Sequence, residues 1–229
     1  MAETQRDMIM ALDIETIPDP DKLDCLPVVE APGNYKDPFK IEEYKREKYS
    51  ANVEKMALDP YYGKIAAYAI VTRIEGQNAK VYADVGLPED ALLGFLTQHF
   101  IETYHDCKTI VTYNGAAFDI PYIRTRLLMN RMTPLPIVPT GKYRCSGPHE
   151  RHCDLYQMLA DEQNPLGRSM KLNDYAKLIG IPARPEPDVA KTGIAEAIKS
   201  PKGREAVLRM CVQDARTTLD VYQTIAKYY

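Results

Sequence analysis

Asp13 and Glu15 close the apolar run Met8-Ile9-Met10-Ala11-Leu12 with two acids spaced i, i+2. A run of that length is most simply a buried strand. Side chains at i and i+2 of a strand point the same way, about 6.6 Å apart. The two carboxylates therefore address one spot, with Ile14 turned into the sheet. Acids on a buried strand are costly unless something compensates them. A hard divalent cation, Mg²⁺ or Mn²⁺, would do so, because both prefer carboxylate oxygen. Taken alone, the pair better suits a strand end that runs into a polar loop with both acids solvated.

Further chemistry-bearing residues lie far along the chain. Tyr113-Asn114-Gly115-Ala116-Ala117-Phe118-Asp119 follows a short apolar strand, so Asn114 and Asp119 sit at the sheet edge where the first strand could end. Asp119, shortly before Pro121, also suits a helix N-cap. Asp214 lies on the Val207–Cys211 row of the last helix, whose apolar positions include Val221 and Ile225. An acid on a core-facing stripe needs a partner, either a cation or an arginine such as Arg209 or Arg216. Arg124, Arg126, Arg131, Lys142, Arg144 and Arg151 stand against one acid, Glu150. They form either an ordinary solvated face or a phosphate-tracking surface. Cys145, His149, His152 and Cys153 carry zinc-ligand chemistry within nine residues. Their Cys-x3-His-x2-His-Cys spacing matches no common zinc module, and neighbours on a strand point apart. A polar loop entering a short strand is the better reading, and a structural Zn²⁺ is not expected.

Positioning these residues requires a sheet and packed helices. Strands are expected at about 8–14, 64–74, 79–85 and 109–113, the first three as an antiparallel meander. Helices are expected at 42–56, 88–104, 120–130, 155–160, 170–179 and from Pro201 to about Ala226. Asp154 is expected to cap the fourth of these. The order describes an α/β fold: a mixed sheet with helices on its faces. The chain of 229 residues, 45% hydrophobic, suits one domain over 1–229 with a helical insertion at about 19–60.

Composition narrows the class further. No stretch approaches the roughly 18 apolar residues of a membrane span. Met1 to Asp7 does not read as a signal peptide. Five scattered cysteines fit reduced thiols in the cytoplasm better than a disulfide framework. The net charge of −3 excludes a generally basic surface but not a local basic groove.

Asp13-x-Glu15, Asn114-x4-Asp119 and Asp214 together resemble the three-motif pattern of the DEDD 3′–5′ exonuclease superfamily, which has a ribonuclease-H-like fold. The nearest flavour is the proofreading domain of family B DNA polymerases and its stand-alone phage and bacterial relatives. Tyr113 to Pro121 is the most specific segment. The resemblance implies two-metal phosphodiester cleavage with Mg²⁺ or Mn²⁺. By the family pattern Asp13, Glu15 and Asp214 would hold one ion; Asp13 would bridge to a second, supported by Asp119. Asn114 and Phe118 would position the terminal nucleotide, and Thr16 could contact its 3′ end. The expected substrate is nucleic acid, with single-stranded DNA or a frayed 3′ end ahead of an RNA-trimming role like that of ribonuclease D. Partner proteins in replication or repair are left open.

One position breaks the pattern. Family members carry Tyr four residues, or His five, before the last acid. Here those places hold Met210 and Arg209. Neither can take a proton from water. General acid–base help is worth about 10²–10⁴-fold, so the enzyme is expected to be slowed rather than inactive. Tyr113, Tyr156, His105 and His152 are candidate substitutes. The alternative is a module that binds nucleic-acid ends with weakened catalysis.

Overall fold

The computed structural model describes residues 8–141, 145–159, 170–182 and 189–228. Met1 to Asp7, Lys142 and Arg144 lie outside them. Five strands form one mixed sheet: β1 (Met8–Pro18), β2 (Gly63–Ile74), β3 (Lys80–Val85), β4 (Cys107–Thr112) and β5 (His152–Asp154). Their order is β3-β2-β1-β4-β5. The first three make the expected antiparallel meander, while β4 and β5 run parallel to β1 and β4.

Strand parity divides the core. Met10, Leu12 and Ile14 face one side, under α2 (Glu89–Tyr104) and α3 (Asp119–Met129). Ala11 and Ile17 face the other side, under α7 (Pro201–Ile225). Opposite Ala11 the same layer receives Ala66, Ala67, Ala69, Cys211 and Ala215. Side chains this small let α7 lie close to the sheet, and the Cys211 thiol reaches 3.5 Å from the Asp13 carbonyl oxygen. The far half of α7 packs with α4 (Leu155–Leu159) and α5 (Leu172–Leu178) around Val111, Cys153 and Tyr222. A short α6 (Ile194–Ala197) precedes α7.

Two boundaries and one ladder irregularity differ from the sequence reading. β1 continues to Pro18 rather than ending near residue 14, because β2 keeps pairing with it down to Gly63. Asp13 and Glu15 are therefore interior strand residues. Ladder register shifts between Glu15 and Thr16, with Glu15 opposite Ala67 and Thr16 opposite Ile65. Ala66 is the extra residue, and it shares the α7 side with Ala67. Such bulges re-aim side chains and cluster near functional sites. Finally, α1 spans Pro38–Met56, four residues earlier than expected. Asp37 caps it through the Phe39 amide at 2.9 Å with Pro38 in the first turn, a start signal that the charged composition hid.

Arg126 corrects the reading of a basic surface. It is 4% exposed and grips Glu89 at 2.5 and 2.8 Å, the Pro60 carbonyl at 3.1 Å and Asp19 at 3.7 Å. The guanidinium of Arg124 donates to Val138, and that of Arg151 donates to the Tyr104 carbonyl and lies over the Tyr104 ring. Each of these three cations ties a loop or helix to its neighbour. Among the described residues no helix is long and apolar enough to cross a membrane.

Candidate active site

Asp13 and Glu15 leave β1 on the α7 side, and α7 brings Asp214 to meet them. One carboxylate oxygen from each of the three lies within 4.8 Å of the others. Glu15 and Asp214 are buried, at 3% and 8% exposure, and Asp13 is partly buried. The Oδ2 atom of Asp13 is shut off from solvent with no hydrogen-bond partner among the described residues. Burial pushes the Asp13 carboxyl well above its ordinary range, with Glu15, Asp119 and Asp214 adding to the effect. Lys191, in a one-turn 3-10 helix at Lys191–Gly193, opposes it and places its ammonium 3.8 Å from Glu15.

Asp119 arrives from the other layer. β4 pairs with β1 only as far as Ala11 opposite Val111. Beyond that point the β4-side groups of β1 lack a ladder partner. The Asp119 carboxylate accepts one of them, the Ile14 amide, at 3.1 Å. It is 5% exposed, and burial pushes its carboxyl up to about 7 against the lowering effect of that amide and of Lys191.

The turn before Asp119 explains its unusual sequence. Asn114 has φ of +68°, in the left-handed region that asparagine tolerates. At Gly115 a Cβ would lie 2.5 Å from Thr112, so no larger residue fits. The Asn114 carbonyl then accepts the Ala117 and Phe118 amides and starts α3. Phe118 packs on Tyr122 with ring centroids 5.3 Å apart. Thr16 commits its hydroxyl to the Ala57 carbonyl at 2.6 Å, anchoring the end of α1.

The Cys/His cluster does not gather into a metal group among the described residues, and the candidate bases His152 and Tyr113 commit polar atoms to other partners. His152 is fully buried with one ring nitrogen at the Pro139 carbonyl, 2.5 Å, and the other at the Thr112 hydroxyl, 2.8 Å. Burial holds its pKa below the usual histidine value. The Cys153 thiol points to Met158 at 3.7 Å and that of Cys145 to Gly141 at 3.0 Å. Among the described residues, only Asp13, Glu15 and Asp214 form a group of three or more metal-ligating side chains. His105 precedes β4, at the sheet end opposite Asn114. The Tyr113 hydroxyl donates to the Met170 carbonyl, and its ring meets Tyr156 edge-on at 5.9 Å. Met210 is 3% exposed in the apolar cluster beneath α7. Two residues went unnoticed in the sequence as parts of this region. Lys191 lies in a stretch without periodicity. Asp154 was read only as a helix cap, a role it fulfils by accepting the Tyr156 amide at 3.0 Å.

A family model described as the RNase_H superfamily matches residues 51–226. The chain belongs to the RNase H superfamily. The matched stretch begins after β1, so Asp119 and Asp214 fall within it and Asp13 and Glu15 precede it. No curated protein matches the chain. Among solved structures, the family B DNA polymerase from the hyperthermophilic archaeon Pyrobaculum calidifontis aligns with a TM-score of 0.62 and 18% identity. The alignment covers 95% of this chain and 24% of the polymerase, so the chain spans about a quarter of that protein. At such identity the likeness speaks for the RNase H-like fold alone. Membership of the RNase H superfamily supports a nuclease acting on nucleic acid, and the acidic group suits the divalent cations that such nucleases usually employ.

Proposed function

We propose that this protein is a metal-dependent 3′–5′ exonuclease that hydrolyses phosphodiester bonds at DNA 3′ ends. The convergence of Asp13, Glu15 and Asp214 within 4.8 Å carries the reading. Three carboxylates in a buried cluster, one with a desolvated and unpartnered oxygen, call for a cation. All donors are oxygen, which suits Mg²⁺ or Mn²⁺.

Asp13, Glu15 and Asp214 would hold one ion, and Asp13 with Asp119 a second. Bound cations supply charge that polarises the scissile phosphate and lowers the pKa of water. The chain's own residues do the rest. Ile14 fixes the Asp119 carboxylate through its amide. Phe118 would offer a ring face and Asn114 a side-chain amide to a terminal nucleotide. With its hydroxyl bound to Ala57, Thr16 acts on the end of α1 in preference to the substrate. The segment 19–60, with its long exposed helix, reads as an insertion into a single domain spanning the chain.

Met210 favours a second reading, a nucleic-acid-end-binding module with weakened catalysis. It is buried among apolar side chains and cannot move a proton. Incubation with 3′-labelled single-stranded DNA or RNA and Mn²⁺, beside an Asp13→Ala control, separates the readings. Release of the labelled 3′-terminal nucleotide by the native protein alone supports the exonuclease. Equal product from both proteins sinks it.

A further inference from the structure

We propose that Asp154 is a positioning residue that sets the place of Asp119 and Asn114 by holding the turn between them. The inference rests on the exonuclease reading. Asp154 ends β5 and is completely buried. Its Oδ1 accepts the Asn114 amide at 2.8 Å and the Tyr156 amide at 3.0 Å, and its Oδ2 accepts the Ala116 amide at 2.9 Å. Its own amide donates to the Cys145 carbonyl at 2.7 Å. Both carboxylate oxygens are thus engaged by backbone N–H groups. A buried carboxylate is tolerated when such donors surround it, and charge-assisted bonds of this kind are about twice as strong as neutral ones.

What these bonds hold matters more than their number. Asn114 is left-handed and Gly115 is pressed against Thr112, so the turn makes no regular ladder of its own. Asp154 supplies the acceptors that a continued strand would have offered. The Gly115 carbonyl next receives the Ile120 amide at 2.9 Å, and Asp119 reaches Ile14 at 3.1 Å. One connected path therefore runs from Asp154 through the turn to the carboxylate proposed for the second ion. A shift of Asp154 would move Asp119 and Asn114 together and leave Asp13, Glu15 and Asp214, on β1 and α7, in place.

The test is calorimetric titration of the full chain with Mn²⁺ alone, together with steady-state cleavage of 3′-labelled single strand. Asp154→Asn keeps one oxygen acceptor and is the milder change; Asp154→Ala removes all. Expected for Asp154→Asn is one ion bound as in the native protein and a second bound about 10–100-fold more weakly, the usual range for outer-shell changes at metal sites. The rate constant falls by a similar factor, and KM for DNA rises as well because Asn114 shifts with Asp119. Combined with Asp119→Asn, Asp154→Asn should add almost nothing, whereas combined with Arg126→Lys its effect should add in full. Additivity with Asp119→Asn, or two native-affinity ions with a native rate constant, overturns the inference and leaves the exonuclease reading standing. A native protein that neither binds Mn²⁺ nor cleaves removes the exonuclease reading and the inference with it. Should Asp154→Ala not fold, the Asp154→Asn titration and the double-mutant cycle decide.

Discussion

The carboxylate of Asp119 accepts the backbone amide of Ile14 at 3.1 Å, joining residues 105 positions apart. The bond links the segment of Asp13 and Glu15 to that of Asp119 through a group that no side-chain pattern displays. It also separates two roles of one residue. Asp119→Asn keeps an oxygen acceptor for the amide but loses the charge. Asp119→Ala loses both and leaves a buried N–H without its partner, at a cost of about 1–3 kcal/mol. Chemical denaturation without metal should therefore show Asp119→Ala less stable than Asp119→Asn by that amount. Both should release nucleotides measurably more slowly than the native protein.

The metal-free protein should lose stability as pH rises toward neutrality. Burial raises Asp119 from 3.8 to about 7, and burial with neighbouring acids raises Asp13 well above 3.8. Between 3.8 and about 7 the native state retains protons that the unfolded chain has released. Stability then falls with pH across that window. His152, buried and neutral with a lowered pKa, works in the opposite direction on the acid side. Melting curves in chelator, compared between native protein and Asp119→Asn, isolate the carboxylate part: the variant should show the smaller decline. Mn²⁺ should stabilise the native protein most at the high end of the window, because it binds the ionised acids.

Met210→Tyr tests the position where the family pattern breaks. Met210 is 3% exposed among apolar neighbours, so the larger side chain should cost about 1–3 kcal/mol in stability. Position 210 lies one turn before Asp214 on the same helical face. A tyrosine hydroxyl there should raise the rate of nucleotide release by up to about a hundredfold, the lower range for general acid–base help. Rate and melting temperature should thus move in opposite directions.

Arg126→Ala should damage the fold rather than nucleic-acid affinity. Removing this arginine leaves Glu89, which is mostly covered, without its cation and Asp19 with Lys64 alone. Breaking such a pair costs about 3–5 kcal/mol. Below the lowered melting temperature, binding to a single strand should be unchanged.

The sequence displayed the sheet, its meander and α7 well, because long periodic segments announce themselves. It displayed the acids as well, since Asp13-x-Glu15 and Asp214 follow strand and helix spacing. Other features depend on tertiary neighbours. The extension of β1 to Pro18 comes from β2, and the bulge at Ala66 is silent in an alanine pair. Arg126 looked like surface charge because Glu89 and Asp19, its partners, lie 37 and 107 residues away. Asp154 looked like a helix cap, and its further partners Asn114 and Ala116 are some 40 residues upstream.

The early end of β4 has one more consequence. Its ladder with β1 stops at Ala11, two residues before Asp13. A longer β4 would claim the Ile14 amide for ordinary strand pairing and deny it to Asp119. Sheet completion and carboxylate placement thus compete for the same hydrogen-bond donor. Sequence changes that favour a longer β4, such as loss of the left-handed turn at Asn114, would strengthen the sheet while dismantling the site.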